Sequence, residues 1–303
     1  MKKVVVLTSI VLVVVLIIFQ PSEKIRLLRK YYFTPCPHDR PEKQTDFPIY
    51  LEDVNLDNYY ESLLSYEGQF NFKVLERISY EGEEFPIYEI ASKNDSSENK
   101  LLVISTTHGN EFATALVIPQ LLDDITNNNE YYSGWNIKII APANPVGLSY
   151  QSRYNEDGCD INRDFGNFHT LGARIQRELI KNFEPDVIVA LHESPRDGFF
   201  IFAEQTVSRE LEMAVIDDLV KEKIELGKKN TLGLPLTTKG LSHKSKFTLW
   251  LQELLNISTF GKYATDLGIP TITTESPWNS SNVEGRIKPH IIVIKSVINN
   301  FNQ

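Results

Sequence analysis

The stretch ENKLLVISTTHGNEFATALVIPQLLDDI, residues 98–125, passes from an almost unbroken aliphatic run into a segment with helical spacing. Residues 98–107 read as a strand covered on both faces, because a central strand of a parallel sheet has no solvent side and needs no polar alternation. Residues 111–125 place apolar side chains at three- and four-residue intervals, the pattern of a helix that buries one stripe. Between the two lie His108, Gly109, Asn110 and Glu111. Gly109 permits a sharp turn and Glu111 opens the helix, so an imidazole and a carboxylate can reach one point from a tight bend.

Working outward, LDNYYESLLSYE has helical spacing, and FKVLERISY and EFPIYEIAS read as short strands around the turn Glu81-Gly82-Glu83. Downstream, WNIKIIAPANP reads as a strand, TLGARIQRELIKNF as a helix and PDVIVALHES as a second buried strand. SRELEMAVIDDLVKEKIELGKK and KFTLWLQELLNISTFGKYATDLG read as helices, PTITTES as a strand and KPHIIVIKSVINNF as a closing helix. Strands alternating with helices imply an α/β domain, three layers deep, with a mixed, largely parallel central sheet between helices.

The chain has 303 residues and a formal charge of -9. That length can bury one large core, and the acidic balance without a basic stripe argues against a nucleic-acid partner. Two lysines precede an uncharged apolar run over residues 4–19. Slightly shorter than the roughly 20 residues a spanning helix needs, and followed by Gln20-Pro21-Ser22 rather than a small-x-small cleavage site, it is expected to be an uncleaved membrane anchor. Lys24, Arg26, Arg29 and Lys30 follow the run; they favour a cytoplasmic body by charge bias, while the short basic start favours an exported one, the orientation expected here. Residues 1–20 are thus an anchor or signal segment, 21–45 a stalk, and 46–303 the folded domain. Cys36 and Cys159 are the only cysteines, so a cysteine-only zinc site is excluded; one disulfide or two separate thiols both remain open.

Ligands of open α/β sheets gather beyond the carboxyl ends of strands, and the chemically capable residues all fall at such ends. His108 and Glu111 follow the first buried strand, His192 ends the second, and Glu275 ends the strand in PTITTES; Arg153, Asn162 and Arg163 lie in SRYNEDGCDINRDFG. Singly each has a bland reading, since a lone His-x-x-Glu also fits a helix start with a capping acid. Together, two imidazoles and one carboxylate with an open fourth position suit a catalytic zinc. The three-residue spacing at a bend, unlike two histidines on one helical face, needs its third ligand from elsewhere, and His192 is the candidate.

With these pieces in order, the chain resembles the superfamily of zinc carboxypeptidases and the related succinylglutamate desuccinylases and aspartoacylases. The matching motifs are THGNE, Asn144-Pro145, Arg153-Tyr154, DINRDF at 160–165, Leu191-His192 and GIPTITTES at 268–276. The resemblance implies one Zn2+ per chain held by His108, Glu111 and His192. It implies Arg153 as polariser of the scissile carbonyl, Asn162 and Arg163 as holders of a substrate carboxylate, and Glu275 as general base. The motif wording is similar to the deacylases and the surrounding layout to the carboxypeptidases. Only 28 residues follow Glu275, short of the extra β-domain of aspartoacylases, which favours the carboxypeptidase branch. The expected function is a zinc metallocarboxypeptidase or peptide amidase acting on a peptide or acylated amino acid with a free carboxylate. An N-acyl amino-acid deacylase and a non-catalytic carboxylate-binding module are the alternatives. Carboxypeptidases also carry a tyrosine on the loop before the catalytic glutamate, for which Tyr263 is nearest in sequence; His243 is another candidate there.

Overall fold

Leu101 and Val103 pack into one hydrophobic core, and Leu102 and Ile104 into another. Successive strand side chains point to opposite faces, so this strand sits in the middle layer of three. The computed structural model describes Cys36 and residues 38–42, 58–93, 97, 99–231, 233–244, 249–250, 253–254 and 258–301.

The described strands are β1 (Asn71–Tyr80), β2 (Glu83–Ala91), β3 (Asn99–Ile104), β4 (Trp135–Ala141), β5 (Val187–Ser194), β6 (Phe200–Ala203), β7 (Leu241–Ser242) and β8 (Thr271–Pro277). They form one eight-stranded sheet in the order β1-β2-β4-β3-β5-β8-β6-β7. The central four run parallel, and antiparallel pairs join β1 to β2, β2 to β4 and β6 to β8. The α/β expectation with a mixed, largely parallel sheet therefore holds.

One face is covered by α1 (Tyr59–Leu64), α2 (Ala113–Asn127), α3 (Asn129–Tyr132), α6 (Arg209–Lys221) and α8 (Val283–Asn300). The other carries α4 (Pro145–Ser149), α5 (Leu171–Phe183) and α7 (Phe260–Asp266). Several starts are fixed by side-chain caps, which satisfy N–H groups the first turn leaves open: Thr170 accepts from Ala173, Ser208 from Leu211 and Asn144 from Gly147. From β3 the chain crosses to β4 on one side and later to β5 on the other. The gap between β3 and β5 at their carboxyl ends is thus a topological switch point, where such sheets bind ligands.

Four local readings change. The helix after the His-Glu bend begins at Ala113 rather than at Glu111. The strand expected through Pro145 ends at Ala141, and Pro145 instead opens α4. The helix expected over 208–229 stops at Lys221; Lys223 has φ 60°, and the backbone at Glu225 and Gly227 bonds to Phe199. The helix expected over 246–268 is not continuous, because Ser258 bridges to Asp164 and Thr259 caps a new start for α7.

Cys36 and Cys159 are joined by a disulfide. Beside it His38 stacks on Tyr154 with ring centroids 4.1 Å apart, and Tyr80 donates to the Pro41 carbonyl at 2.6 Å. This part of the segment expected as a stalk lies against the body. Among the described residues no helix is long and apolar enough to cross a membrane; the apolar run over 4–19 and the boundary near residue 46 lie outside them.

Candidate metal centre

The bend after β3 is built before any ligand side chain is placed. Thr106 stands at φ 60°, an unusual conformation for a β-branched residue that costs on the order of 1–3 kcal/mol. Its hydroxyl bonds with Ser105 at 2.8 Å and Thr114 at 3.2 Å, which holds it there. Gly109 is needed for close approach rather than for an unusual φ: a Cβ there would lie 1.8 Å from the Gly147 carbonyl carbon and 2.2 Å from the Leu148 nitrogen, in α4. The bend is therefore pressed against α4, and His108 and Glu111 turn inward together.

His108 Nδ1 lies 2.7 Å from Glu111 Oε1, His192 Nδ1 lies 2.8 Å from Glu111 Oε2, and the two Nδ1 atoms are 3.2 Å apart. All three residues are buried, and one ligand atom from each falls within 4.8 Å of the others. A tetrahedral zinc with ligands at roughly 2.0–2.1 Å asks for donor atoms about 3.3 Å apart, which this cluster meets with small adjustments. Two imidazole nitrogens facing one carboxylate in a dry pocket are donors to a cation, so the residues present fit a divalent metal.

The strand register supplies the next member. His192 and Glu275 are paired neighbours on β5 and β8, so their side chains leave the sheet on the same face. Glu275 Oε2 is buried with no hydrogen-bond partner among the described residues. Burial, reinforced by the Glu111 charge and opposed by Arg153, pushes the Glu275 carboxyl well above its ordinary range. Burial works in the same direction on Glu111, but the charges and hydrogen bonds of His108 and His192 win and hold it below the usual carboxylate value. Burial lowers the His192 pKa, favouring the neutral ring that a metal requires.

Arg153 reaches the cluster from the loop after α4, with Nη1 3.2 Å from His108 Nδ1 and 3.5 Å from Glu111 Oε1. Its Nε donates to Asp160 Oδ2 at 2.9 Å, while Asp160 Oδ1 lies 3.2 Å from His108 Nε2. Asp160 is thus the carboxylate that holds the far side of His108. If Nε2–H donates to Asp160, the Nδ1 lone pair is left facing Glu111, the usual way an outer carboxylate fixes a ligand's tautomer. Burial would raise the Asp160 carboxyl, yet Arg153 and His108 keep it well below its usual value. Asp160 opens the DINRDF motif, and its only signal in the sequence is an acid seven residues after Arg153.

Asn162 and Arg163 form a 3₁₀ turn with Ile161 beside this loop. Asn162 Oδ1 accepts from the Phe260 backbone N–H at 3.0 Å, which leaves its amide NH2 as the face able to donate elsewhere. Arg163 Nη1 donates to the Asn162 carbonyl at 3.2 Å, and the Arg163 charge acts on both Asp160 and Glu275. The Tyr263 ring packs against Phe165 and Phe168, and His243 pairs with Glu212 of α6 at 2.6 Å, so neither is among the residues that converge with His108, Glu111 and His192.

Comparison with known proteins bears on the fold that carries this cluster. Residues 71–184 match a family described as a protein of unknown function, DUF2817. No curated protein matches the sequence. Among solved structures, a Shewanella denitrificans protein provisionally described as a metallopeptidase superposes with TM-score 0.66 at 15% identity, over 88% of this chain and 98% of its own. A metallo-carboxypeptidase from Burkholderia cenocepacia gives 0.62 at 14%, over 84% and 70%. One from Pseudomonas aeruginosa gives 0.54 at 14%, over 82% and 69%. The chain therefore has the metallo-carboxypeptidase-like fold, the architecture its sequence motifs resemble.

Proposed function

We propose that this protein is a zinc-dependent metallocarboxypeptidase or peptide amidase that hydrolyses an amide bond near a free carboxylate. The observation that carries the reading is the convergence of His108 Nδ1, Glu111 and His192 Nδ1 in one buried cluster, with Glu275 beside His192 on the same face. Zinc held by these three residues would supply Lewis acidity toward the scissile carbonyl and toward a water. The charge of a bound cation would offset the burial and the Glu111 charge that raise the Glu275 carboxyl, and Glu275, then ionised, acts as general base: it takes the proton of the attacking water and passes it to the leaving amine. Arg153 is aimed at the cluster and stabilises the negative charge that develops on the carbonyl oxygen. The Arg163 guanidinium and the Asn162 amide hold the substrate's carboxylate, for which a planar two-pronged donor is well matched.

Two relatives support a peptide-like, acid-bearing substrate. The Pseudomonas aeruginosa enzyme was solved with (2-guanidinoethylmercapto)succinic acid, and bovine thrombin-activatable fibrinolysis inhibitor with tick carboxypeptidase inhibitor. The Cys36–Cys159 bridge supports an extracytoplasmic site of action, because such bonds persist in oxidising compartments; residues 1–20 would serve as the membrane anchor. Two reactive thiols in protein labelled directly in intact cells would count against that placement.

The test is metal analysis of the purified domain together with hydrolysis of a panel of peptides and acylated amino acids. About one zinc per chain and chelator-sensitive release of a C-terminal residue or neighbouring amide are expected. Activity without metal sinks the assignment, and turnover of acyl amino acids alone moves it to the deacylases. Within the same panel, Arg163→Ala should raise KM for free-acid substrates about 10- to 100-fold with little change in kcat, since it removes a charge-assisted bond shared by ground and transition states. Equal loss on amidated substrates would remove Arg163 from carboxylate binding.

A further inference from the structure

We propose that the buried Glu193–Arg286 pair is a positioning device for the metal centre, and that it sets metal affinity by fixing Glu111, His192 and Glu275 relative to one another. The proposal rests on the reading of those residues given above. It begins with strand alternation. His192 and Glu275 leave the sheet on the site's face, so Glu193 and Ser276, the next residues on β5 and β8, leave on the opposite face. That face is covered by α2 and α8.

There Glu193 gathers four donors. Arg286 of α8 donates from Nε to Oε1 and from Nη2 to Oε2, both at 2.8 Å. Ser276 Oγ donates to Oε1 at 3.1 Å and the Ala113 backbone N–H to Oε2 at 3.0 Å. The Arg286 guanidinium lies 4.2 Å from the centre of the Phe112 ring. The Glu193 backbone N–H in turn donates to Glu111 Oε2 at 3.1 Å. One carboxylate thus ties together the residue after His192, the residue after Glu275 and the first residue of α2, two positions beyond Glu111. The side chains of both Glu193 and Arg286 have 0% exposure.

Stability alone is a poor account of such a pair. Burying two charges costs much of what their attraction returns, and an apolar pair of similar volume is often as stable. An apolar pair could not hold three separate elements in one register, because dispersion contacts carry little direction. The bidentate, charge-assisted geometry does.

The experiment replaces both charges at once, Glu193→Met with Arg286→Met. Circular dichroism and thermal melting check the fold; zinc affinity of the chelator-stripped protein is measured by competition with a chromophoric chelator; hydrogen exchange follows the Glu193 amide in the same metal-free protein. A folded double variant with zinc affinity about 10- to 100-fold weaker and faster exchange at Glu193 is expected. Wild-type affinity in a folded double variant overturns the proposal. Should the double variant fail to fold, Arg286→Lys and Ser276→Ala carry the same measurement: weakened affinity in both supports the device, and unchanged affinity in both overturns it. If the wild-type protein itself binds no zinc, the reading of the metal centre fails instead, and the two failures are told apart by that first titration.

Discussion

The two ends of the sheet carry the same kinds of residue and differ in what those residues still lack. At the amino end of β8, Glu204 receives Lys244 at 2.5 Å, and Glu212 receives Arg209 at 2.8 Å and His243 at 2.6 Å. At the carboxyl ends of β3, β5 and β8, two imidazole nitrogens and a carboxylate crowd together, and the neighbouring Glu275 Oε2 is buried with no partner among the described residues. Histidine with glutamate is therefore no signature of a site. Lone pairs that converge without enough protons or cations to share are a better one, because leaving such groups buried is costly unless something binds there.

The largest break in the comparison should come from Glu275→Gln. The amide keeps the shape and the hydrogen-bonding reach but cannot accept the water's proton, so turnover should fall about 10²- to 10⁴-fold while zinc content stays at the wild-type level. Steady-state kinetics with metal analysis measures both. Near-normal turnover would mean that the unpartnered oxygen has no part in the chemistry and that the contrast between the two ends is accidental.

Asp160→Asn should have a smaller effect of a different kind. It leaves the three candidate ligands in place and weakens the carboxylate that faces His108 Nε2 at 3.2 Å and Arg153 Nε at 2.9 Å. Zinc affinity should fall about 10- to 100-fold, the usual cost of losing an outer partner of a ligating histidine. Chelator competition reads this directly, and unchanged affinity would show that the bend and strand alone orient His108.

How far the sequence is legible follows from the range over which each feature is determined. The buried strands β3 and β5 announce themselves because both faces are covered, and His108, Glu111 and His192 are conspicuous because they sit where those aliphatic runs stop, while Glu275 lies near the end of the threonine-rich strand β8. β6 and β7 do not, being four and two residues long, too short to show alternation. The break before α7 is equally hidden, since it depends on Ser258 bridging to Asp164 from far away in the chain. Asp160 and Glu193 lie inside stretches whose local pattern marks other residues. Their roles come from partners 52 and 93 residues distant, His108 and Arg286, and no local pattern encodes a contact of that separation.

The smallest effect should come from His243→Ala, which tests the quiet end of the comparison. His243 has a side chain 49% exposed, and Glu212 keeps Arg209 when the imidazole is removed. A surface ion pair of this sort contributes about 0–1 kcal/mol, so melting should move little. Because His243 follows β7, and β7 runs alongside β6 toward the amino end of β8, activity should stay within about twofold of wild type, the usual range for a surface change away from a site. A large loss of kcat would require His243 to reach the substrate from the far end of the sheet. The distinction between saturated and converging acid–histidine clusters would then have to be abandoned, whatever Glu275→Gln had done.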